Sequence, residues 1–387
     1  MTSLDSAEVS SMFRLKTQIH TYSSLQTCFE FLQLNKSDLI ITNGCFMKQI
    51  QNTPAYHEAA LLNLDEYGAG EPNAAWVDQV VEKANDNPYH RVIGIGGGST
   101  IDIAKLCIFG DGRDVKAIFQ EKTELEKRRD LIIIPTTCGT GSEVTSVSVM
   151  EFDDLQSKLG LQLDLLFPDK AILVSDLLQT LPYATFAISS IDALAHAVES
   201  LLSPKANAYT DMFAKTAIEG ILKTFMEIKR KNCLPANMEK SLLCANMTGI
   251  AFSIAGCATM HALSFPLGSN YHLAHGEAVY AVFGSVLEEY AQMGVSLEKL
   301  TSILQTIFKT ETKVIEQLMS LLKNIFQRPD FCELNINHEA CEVMAVSVFE
   351  HQQRLLKNSP QYLNSHDLAR IYKRCLMEDI YDNSNKS

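Results

Sequence analysis

Short, nearly continuous apolar runs recur through the first half of the chain. Leu39-Ile40-Ile41-Thr42, Arg91-Val92-Ile93-Gly94-Ile95, Leu131-Ile132-Ile133-Ile134 and Ala171-Ile172-Leu173-Val174 are too short for helices and lack the alternation of a half-exposed strand. They predict strands of a parallel sheet buried on both faces. Amphipathic stretches from Ala74 to Asn85 and from Ile101 to Phe109 supply crossover helices. Together these elements predict a doubly wound α/β unit over residues 1–183. After about residue 184 Ala, Leu, Met, Lys and Glu dominate, and apolar positions recur three and four apart from Ala206 to Lys229. That period predicts an all-α unit over residues 184–387, with Pro182 as the punctuation between the halves. A length of 387 residues also favours two domains. There is no internal repeat and no low-complexity linker.

Composition removes whole classes of function. Lys and Arg total 33 against 46 Asp and Glu, a net charge of -13. The longest basic clusters, Lys127-Arg128-Arg129 and Lys229-Arg230-Lys231, read as solvated helix ends, so nucleic acid is not an expected partner. Ten cysteines occur without a Cys-x-x-Cys pair. They read as small buried apolar groups in a reducing compartment rather than as a zinc ribbon or disulfide framework. Met1 to Ser10 lacks the apolar segment of a secretory signal, and no apolar run approaches the ~18 residues that span a bilayer. The expected location is cytoplasmic, without a membrane.

Two loops carry phosphate-binding character. Gly96-Gly97-Gly98-Ser99-Thr100-Ile101-Asp102-Ile103-Ala104-Lys105 follows a strand and opens a helical pattern. Glycines there let the backbone approach a pyrophosphate, and the helix presents free N–H groups and its positive dipole end. The spacing is not G-x-G-x-x-G, and a Gly-rich turn can also be purely structural. Pro135-Thr136-Thr137-Cys138-Gly139-Thr140-Gly141-Ser142-Glu143 packs four hydroxyls and two glycines into nine residues after another strand. Such hydroxyls suit phosphate and ribose oxygens, or equally cap a following helix. Two loops of this kind at strand ends imply a dinucleotide.

A metal constellation lies in the second half. Asp192 and His196 stand four apart on an otherwise apolar helix and project from one face. His261 and His275 follow, in helical stretches separated by a turn containing Pro and Gly. Three imidazoles and a carboxylate suit one divalent ion. A lone histidine on an apolar face is more often a satisfied core residue, but a buried Asp among Ile, Ala and Leu needs a cation or hydrogen bonds to offset its desolvation. His272 reads as a donor behind the ligands, a proton carrier or a surface residue.

In order and spacing, the Gly96 to Lys105 stretch, Pro135 to Glu143, Asp192-Ala193-Leu194-x-His196 and the His261 and His275 pair closely resemble the iron-containing (group III) alcohol dehydrogenase family from about Asp38 to the C-terminus. The resemblance implies an N-terminal dinucleotide-binding α/β domain, a C-terminal helical domain and an active site in the cleft between them. Asp192, His196, His261 and His275 then become ligands of ferrous iron, or of zinc. Gly97, Gly98 and Ser99 would hold the pyrophosphate with Asp102 near the nicotinamide; Thr136, Thr137, Thr140 and Lys158 would contact phosphate or ribose.

Two departures from the family pattern stand out. Asn43 falls where NAD-preferring members carry Asp, so NAD is preferred while NADP is not excluded. Phe265 replaces a histidine often assigned to proton relay, leaving His272 or Tyr271, or ribose hydroxyls and water, as the proton's exit. Within the family, the stretches His261 to Pro266, Gly276-Glu277-Ala278 and Gln352 to Leu356 most resemble the 4-hydroxybutyrate dehydrogenases. Arg354 is a candidate partner for a substrate carboxylate, with a surface salt bridge as its plainer reading. The resemblance implies hydride transfer between NAD(P)(H) and a small alcohol or aldehyde, by a homodimer or higher oligomer. Rival readings are a dehydrogenase for simple alcohols or lactaldehyde, a non-catalytic dinucleotide sensor, and the glycerol dehydrogenase or dehydroquinate synthase relatives, against which the ligand spacing speaks.

Overall fold

A computed structural model describes residues 12–68, 72–152 and 157–384; the Met1 to Ser10 stretch lies outside them. The strands among the described residues are β1 (Gln18–Tyr22), β2 (Asp38–Thr42), β3 (Ala60–Asn63), β4 (Arg91–Gly96), β5 (Asp130–Pro135), β6 (Val147–Phe152), β7 (Ser157–Gln162) and β8 (Lys170–Val174). Between them run helices α1 (Leu25–Leu32), α2 (Gly44–Gln51), α3 (Ala74–Ala84), α4 (Gly98–Leu106) and α5 (Val115–Gln120). From Tyr183 the described chain is helical: α6 (Tyr183–Leu202), α7 (Ala208–Lys231), α8 (Glu239–Ala255), α9 (Thr259–Tyr271), α10 (His275–Gln292), α11 (Glu298–Phe308), α12 (Val314–Ile325), α13 (His338–His351), α14 (Gln353–Leu356) and α15 (Ser365–Ser384).

Six strands form one parallel sheet ordered β1-β8-β5-β4-β2-β3, and β6 and β7 form a separate antiparallel hairpin. Alternate strand residues serve opposite faces, as a period of two requires. Ile40, Ile93, Ile95, Ile132, Ile134 and Ile172 pack with Phe29 of α1 and Ile50 of α2, and this core continues unbroken into the helices beyond Tyr183. Leu39, Ile41, Val92, Leu131 and Ile133 pack instead against Val77 and Val80 of α3, Ile103 of α4 and Ile118 of α5. Both faces are therefore dry, which is why the strand sequences read as solid apolar runs.

The sheet order fixes where a ligand can sit. The chain runs outward from β2 to β3, returns across β2 to β4, and then builds β5 and β8 in the other direction. Helices α2 and α4 leave their strands on opposite faces, so a crevice opens at the carboxyl ends of β2 and β4.

The predicted class holds, with local differences. The edge strands β1 and β3 and the hairpin were not anticipated; β1 reads Gln-Ile-His-Thr-Tyr and β3 Ala-Leu-Leu-Asn, too short and mixed to register as buried runs. The helix expected from Ile101 to Phe109 begins at Gly98 and ends at Leu106, because extended Gly97 (φ −79°, ψ −171°) serves as its N-cap. The loop Pro135 to Glu143 opens no α-helix: it tightens into a 3-10 turn over Ser142–Val144 and enters β6. Pro266 lies inside α9 rather than in a turn. It removes one N–H yet leaves the helix intact through Tyr271, and the break comes at His272, in a left-handed conformation (φ 55°). No single helix among the described residues is long and apolar enough to cross a membrane.

Candidate active site

The glycine loop after β4 is built for close approach. A Cβ on Gly96 would collide with Thr100 Oγ1 of the same stretch, and one on Gly98 would lie 2.7 Å from Thr140 Cγ2 of the second loop. Gly96 thus lets the first turn of α4 fold back on its strand, and Gly98 lets the two loops interlock. Thr137 packs beside Gly97, and the buried Thr136 donates its N–H to Gly96 O at 3.0 Å. The first turn of α4 is left facing the crevice with its N–H groups and dipole, an anion site of known physics.

Buried charges brace this arrangement. Lys105 of α4 donates to Ser142 Oγ (2.7 Å), Thr145 Oγ1 (3.1 Å) and Val147 O (2.5 Å), which anchors the second loop beneath the first. Burial pushes its ammonium down to about 8 against the opposing pull of Asp102 and Glu143. Asp102 accepts from Ser142 Oγ and from the Val149 N–H, both at 2.9 Å, and so fastens the hairpin to α4. Buried Glu143 accepts from Asn246 of α8 at 2.7 Å, tying the loop to the helical half; burial raises its carboxyl above the usual range.

Across the cleft, three histidines surround Asp192. Its Oδ1 lies 3.7 Å from His196 Nδ1, 3.5 Å from His261 Nε2 and 3.7 Å from His275 Nε2. The spacing of Asp192 and His196 on α6 puts both on one face, while His261 comes from the first turn of α9 and His275 opens α10. Burial disfavours the Asp192 charge, yet the imidazoles together outweigh it and hold the carboxyl well below the usual range. Burial, aided by His261, pushes His196 down to about 3. Its Nδ1 faces its own helix carbonyl, Asp192 O, at 3.0 Å, so a neutral ring donating there leaves Nε2 as a lone-pair donor.

Glu199 governs the third ring. Its Oε2 lies 2.6 Å from His261 Nδ1, and the same carboxylate accepts the N–H groups of Ala258 (2.8 Å) and Met260 (2.5 Å). With Nδ1 committed, His261 Nε2 faces Asp192. Burial opposes charge on His261, but Glu199 and Asp192 overcome it and raise the ring to about 9. Asp192 Oδ1 and His261 Nε2 are buried and have no hydrogen-bond partner among the described residues. A buried carboxylate oxygen facing a ring nitrogen that becomes a lone-pair donor once it loses its proton suits a shared cation, and the O and N donor set suits a divalent transition ion.

A cavity of about 360 Å³ joins the two halves of the site. Gly98, Ser99, Asp102, Thr140 and Lys158 line one wall; His196, His261, His275 and Phe265 line the other, and Arg354 of α14 borders it. Arg354 is exposed and has no hydrogen-bond or ion-pair partner among the described residues, so the surface salt bridge expected of it is not there. Asn43 sits outside the cavity, at the end of β2, where its side-chain oxygen accepts the Thr100 hydroxyl at 2.7 Å. His272 is exposed and borders the cavity no more than Tyr271 does.

Three residues in or behind the site were missed from sequence. Glu199 lies seven positions after Asp192 on the same helix face, a spacing that could have found it. Lys105 closes the glycine-rich stretch as one more helical lysine. Cys257 offers its sulfur within 4.8 Å of ligand nitrogens of His196 and His261, a second triad sharing His261 with that of Asp192, His261 and His275. Burial, with Glu199 and Asp192 nearby, raises its thiol well above the usual range.

A glycine-loop sheet facing an Asp-and-His cluster across one cleft defines a metal-dependent dinucleotide enzyme in two halves. Known proteins resolve the class further. The profile of "Iron-containing alcohol dehydrogenase" matches residues 18–175, and that of the "Fe-containing alcohol dehydrogenase family, C-terminal" matches residues 186–376. The chain is 36% identical over 369 residues to 4-hydroxybutyrate dehydrogenase of Clostridium kluyveri, covering 94% of this chain and 99% of that protein. It is 31% identical over 333 residues to long-chain-alcohol dehydrogenase 1 of Geobacillus thermodenitrificans, covering 81% of each. Among solved structures, sulfoacetaldehyde reductase from Bifidobacterium kashiwanohense in complex with NAD+ matches with a TM-score of 0.81 at 22% identity, over 94% of this chain and 98% of that one. The chain belongs to the iron-containing alcohol dehydrogenase family.

Proposed function

We propose that this chain transfers hydride between NAD(H) and a small alcohol or aldehyde bearing a carboxylate, with 4-hydroxybutyrate and succinic semialdehyde as the substrate pair. One observation carries the reading: a single cavity is bordered by the glycine loop and by the histidines around Asp192. The relative in Clostridium kluyveri supports the substrate class, and the NAD+ complex of the sulfoacetaldehyde reductase and the NADH-dependent butanol dehydrogenase A of Thermotoga maritima support the cofactor.

Asp192, His196, His261 and His275 would hold divalent iron, or zinc in its place. When bound, such an ion polarises a substrate oxygen as a Lewis acid. The protein supplies the rest. The α4 N-terminus with Gly97, Gly98 and Ser99 receives the pyrophosphate, and Thr137, Thr140 and Lys158 serve phosphate or ribose oxygens, while the buried Thr136, expected there from the sequence, braces the glycine loop instead. Interlocked loops keep the nicotinamide end on the cavity side, beside Asp102, which also fastens the hairpin. Phe265 excludes water from the reacting carbon, and Arg354 meets the distal carboxylate through paired N–H donors. His272 does not line the cavity, so the proton's route in this reading is through ribose hydroxyls and water.

The domain division at residue 183, a cytoplasmic location and a homodimer complete the reading. All ten cysteines are free, in keeping with a reducing compartment. Light scattering tests the oligomer. The decisive assay is anaerobic reconstitution with ferrous iron, then turnover with NADH and NADPH against succinic semialdehyde, lactaldehyde and simple aldehydes. Fastest turnover on succinic semialdehyde with NADH supports the proposal. Nucleotide binding without turnover on any of these would overturn it in favour of a sensor.

A further inference from the structure

The carboxylate missing from Asn43 is present one strand further on. Asp65 follows β3, and its Oδ1 accepts the Asn43 side-chain amide at 3.0 Å while its Oδ2 accepts the Gly44 N–H at 2.9 Å. Gly44 makes this approach possible, since a Cβ there would lie 2.7 Å from Asp65 Oδ2. The Thr100 hydroxyl closes the chain by donating to Asn43 Oδ1 at 2.7 Å. Thr100 stands in the first turn of α4, so a line of hydrogen bonds runs from the glycine loop through the end of β2 to Asp65.

That line crosses the switch point of the sheet. A dinucleotide with its pyrophosphate on the α4 N-terminus lays its adenosine ribose over the carboxyl ends of β2 and its neighbour. A 2′-hydroxyl there meets acceptors; a 2′-phosphate there brings close to two further negative charges. Asp65 is exposed and keeps acceptor capacity on both oxygens, and no Lys or Arg forms an ion pair with it among the described residues. Among the described residues its carboxylate thus meets only neutral N–H donors, from Asn43 and Gly44.

We infer that Asp65, held at the start of α2 by Asn43 and Gly44, is the residue that selects NAD(H) over NADP(H) in this chain. The inference rests on the dinucleotide reading above. Asn43 acts as a neutral bracket that aims the carboxylate, so the selecting charge arrives from β3 instead of β2. Discrimination comes from repulsion of the wrong cofactor as much as from attraction of the right one.

The test is direct binding, without turnover. Kd values for NADH and NADPH are measured by nucleotide fluorescence on the full chain and on D65N, with D65S as a second variant and thermal melting as the check on folding. Asp65→Asn keeps the side-chain shape and removes the charge, so NADH weakens, NADPH tightens, and the ratio of their Kd values moves by about tenfold or more. In the wild-type chain that ratio falls as salt is raised, because an exposed charge is screened. An unchanged ratio in folded variants, or a salt-independent ratio in the wild type, overturns the role of Asp65. If the wild-type chain binds neither nucleotide, the dinucleotide reading itself fails and takes this inference with it.

Discussion

Glu199 and His261 form a buried pair in which a carboxylate oxygen lies 2.6 Å from the ring Nδ1. Because Glu199 also accepts two backbone N–H groups at the start of α9, from its N-cap Ala258 and from Met260 in its first turn, the ring is held by the same carboxylate that shapes the turn carrying it. Its other nitrogen, Nε2, lies 3.5 Å from Asp192 Oδ1.

Replacing Glu199 by Gln should therefore act through the metal rather than through the fold. We expect affinity for ferrous or cobaltous ion to fall about 10- to 100-fold, the usual cost of losing an orienting carboxylate behind a histidine ligand. Calorimetric titration of the chelator-treated protein reads this. An affinity equal to that of the wild type would remove Glu199 from the site's design.

The raised His261 has a pH signature of definite sign. Its folded value of about 9 exceeds the ordinary 6.5 of an unfolded histidine. A group raised on folding contributes stability fully below its unfolded value and loses it as pH climbs through the folded one. In metal-free protein the stability difference between wild type and His261→Asn should shrink between pH 6.5 and 9. Metal affinity should rise over the same window, since the ion must displace that proton. Melting curves with and without chelator decide both points.

Arg354 should separate substrates by charge. In Arg354→Ala, kcat/KM for succinic semialdehyde is expected to drop about 10- to 100-fold through KM, the size of a lost charge-assisted hydrogen bond. Butanal, with no carboxylate, should be nearly unaffected. Parallel losses on both aldehydes would assign Arg354 to the framework of the cleft.

Gly98 tests the interlock of the loops. An added methyl meets Thr140 Cγ2 at 2.7 Å, so Gly98→Ala should cost about 1–3 kcal/mol of stability as an overpacked contact. NADH binding should weaken together with the melting temperature. Tight NADH binding by a destabilised variant would show that the loop does not hold the pyrophosphate.

The central strands were legible because a sheet dry on both faces writes solid apolar runs into the sequence: Leu39 to Ile41 and Leu131 to Ile134 leave no other reading. β1 and β3 escaped because edge strands are short and carry mixed residues such as His20 and Asn63. Asp192 and His196 declared themselves through helical spacing, and His261 and His275 through the company they keep. Asp65 and Cys257 could not, since strand order and the path of the chain between α8 and α9 bring them to their partners. Pro266 misled for a local reason: a proline usually ends a helix, but this one is buried inside α9, which runs on to Tyr271.

The isoleucines on one side of the sheet belong to the same apolar body as the helices beyond Tyr183. Neither half could be cut away without stripping that surface bare and leaving it to water. Heat should accordingly melt the chain in one step, and a fragment ending near Val174 would come out of the cell aggregated.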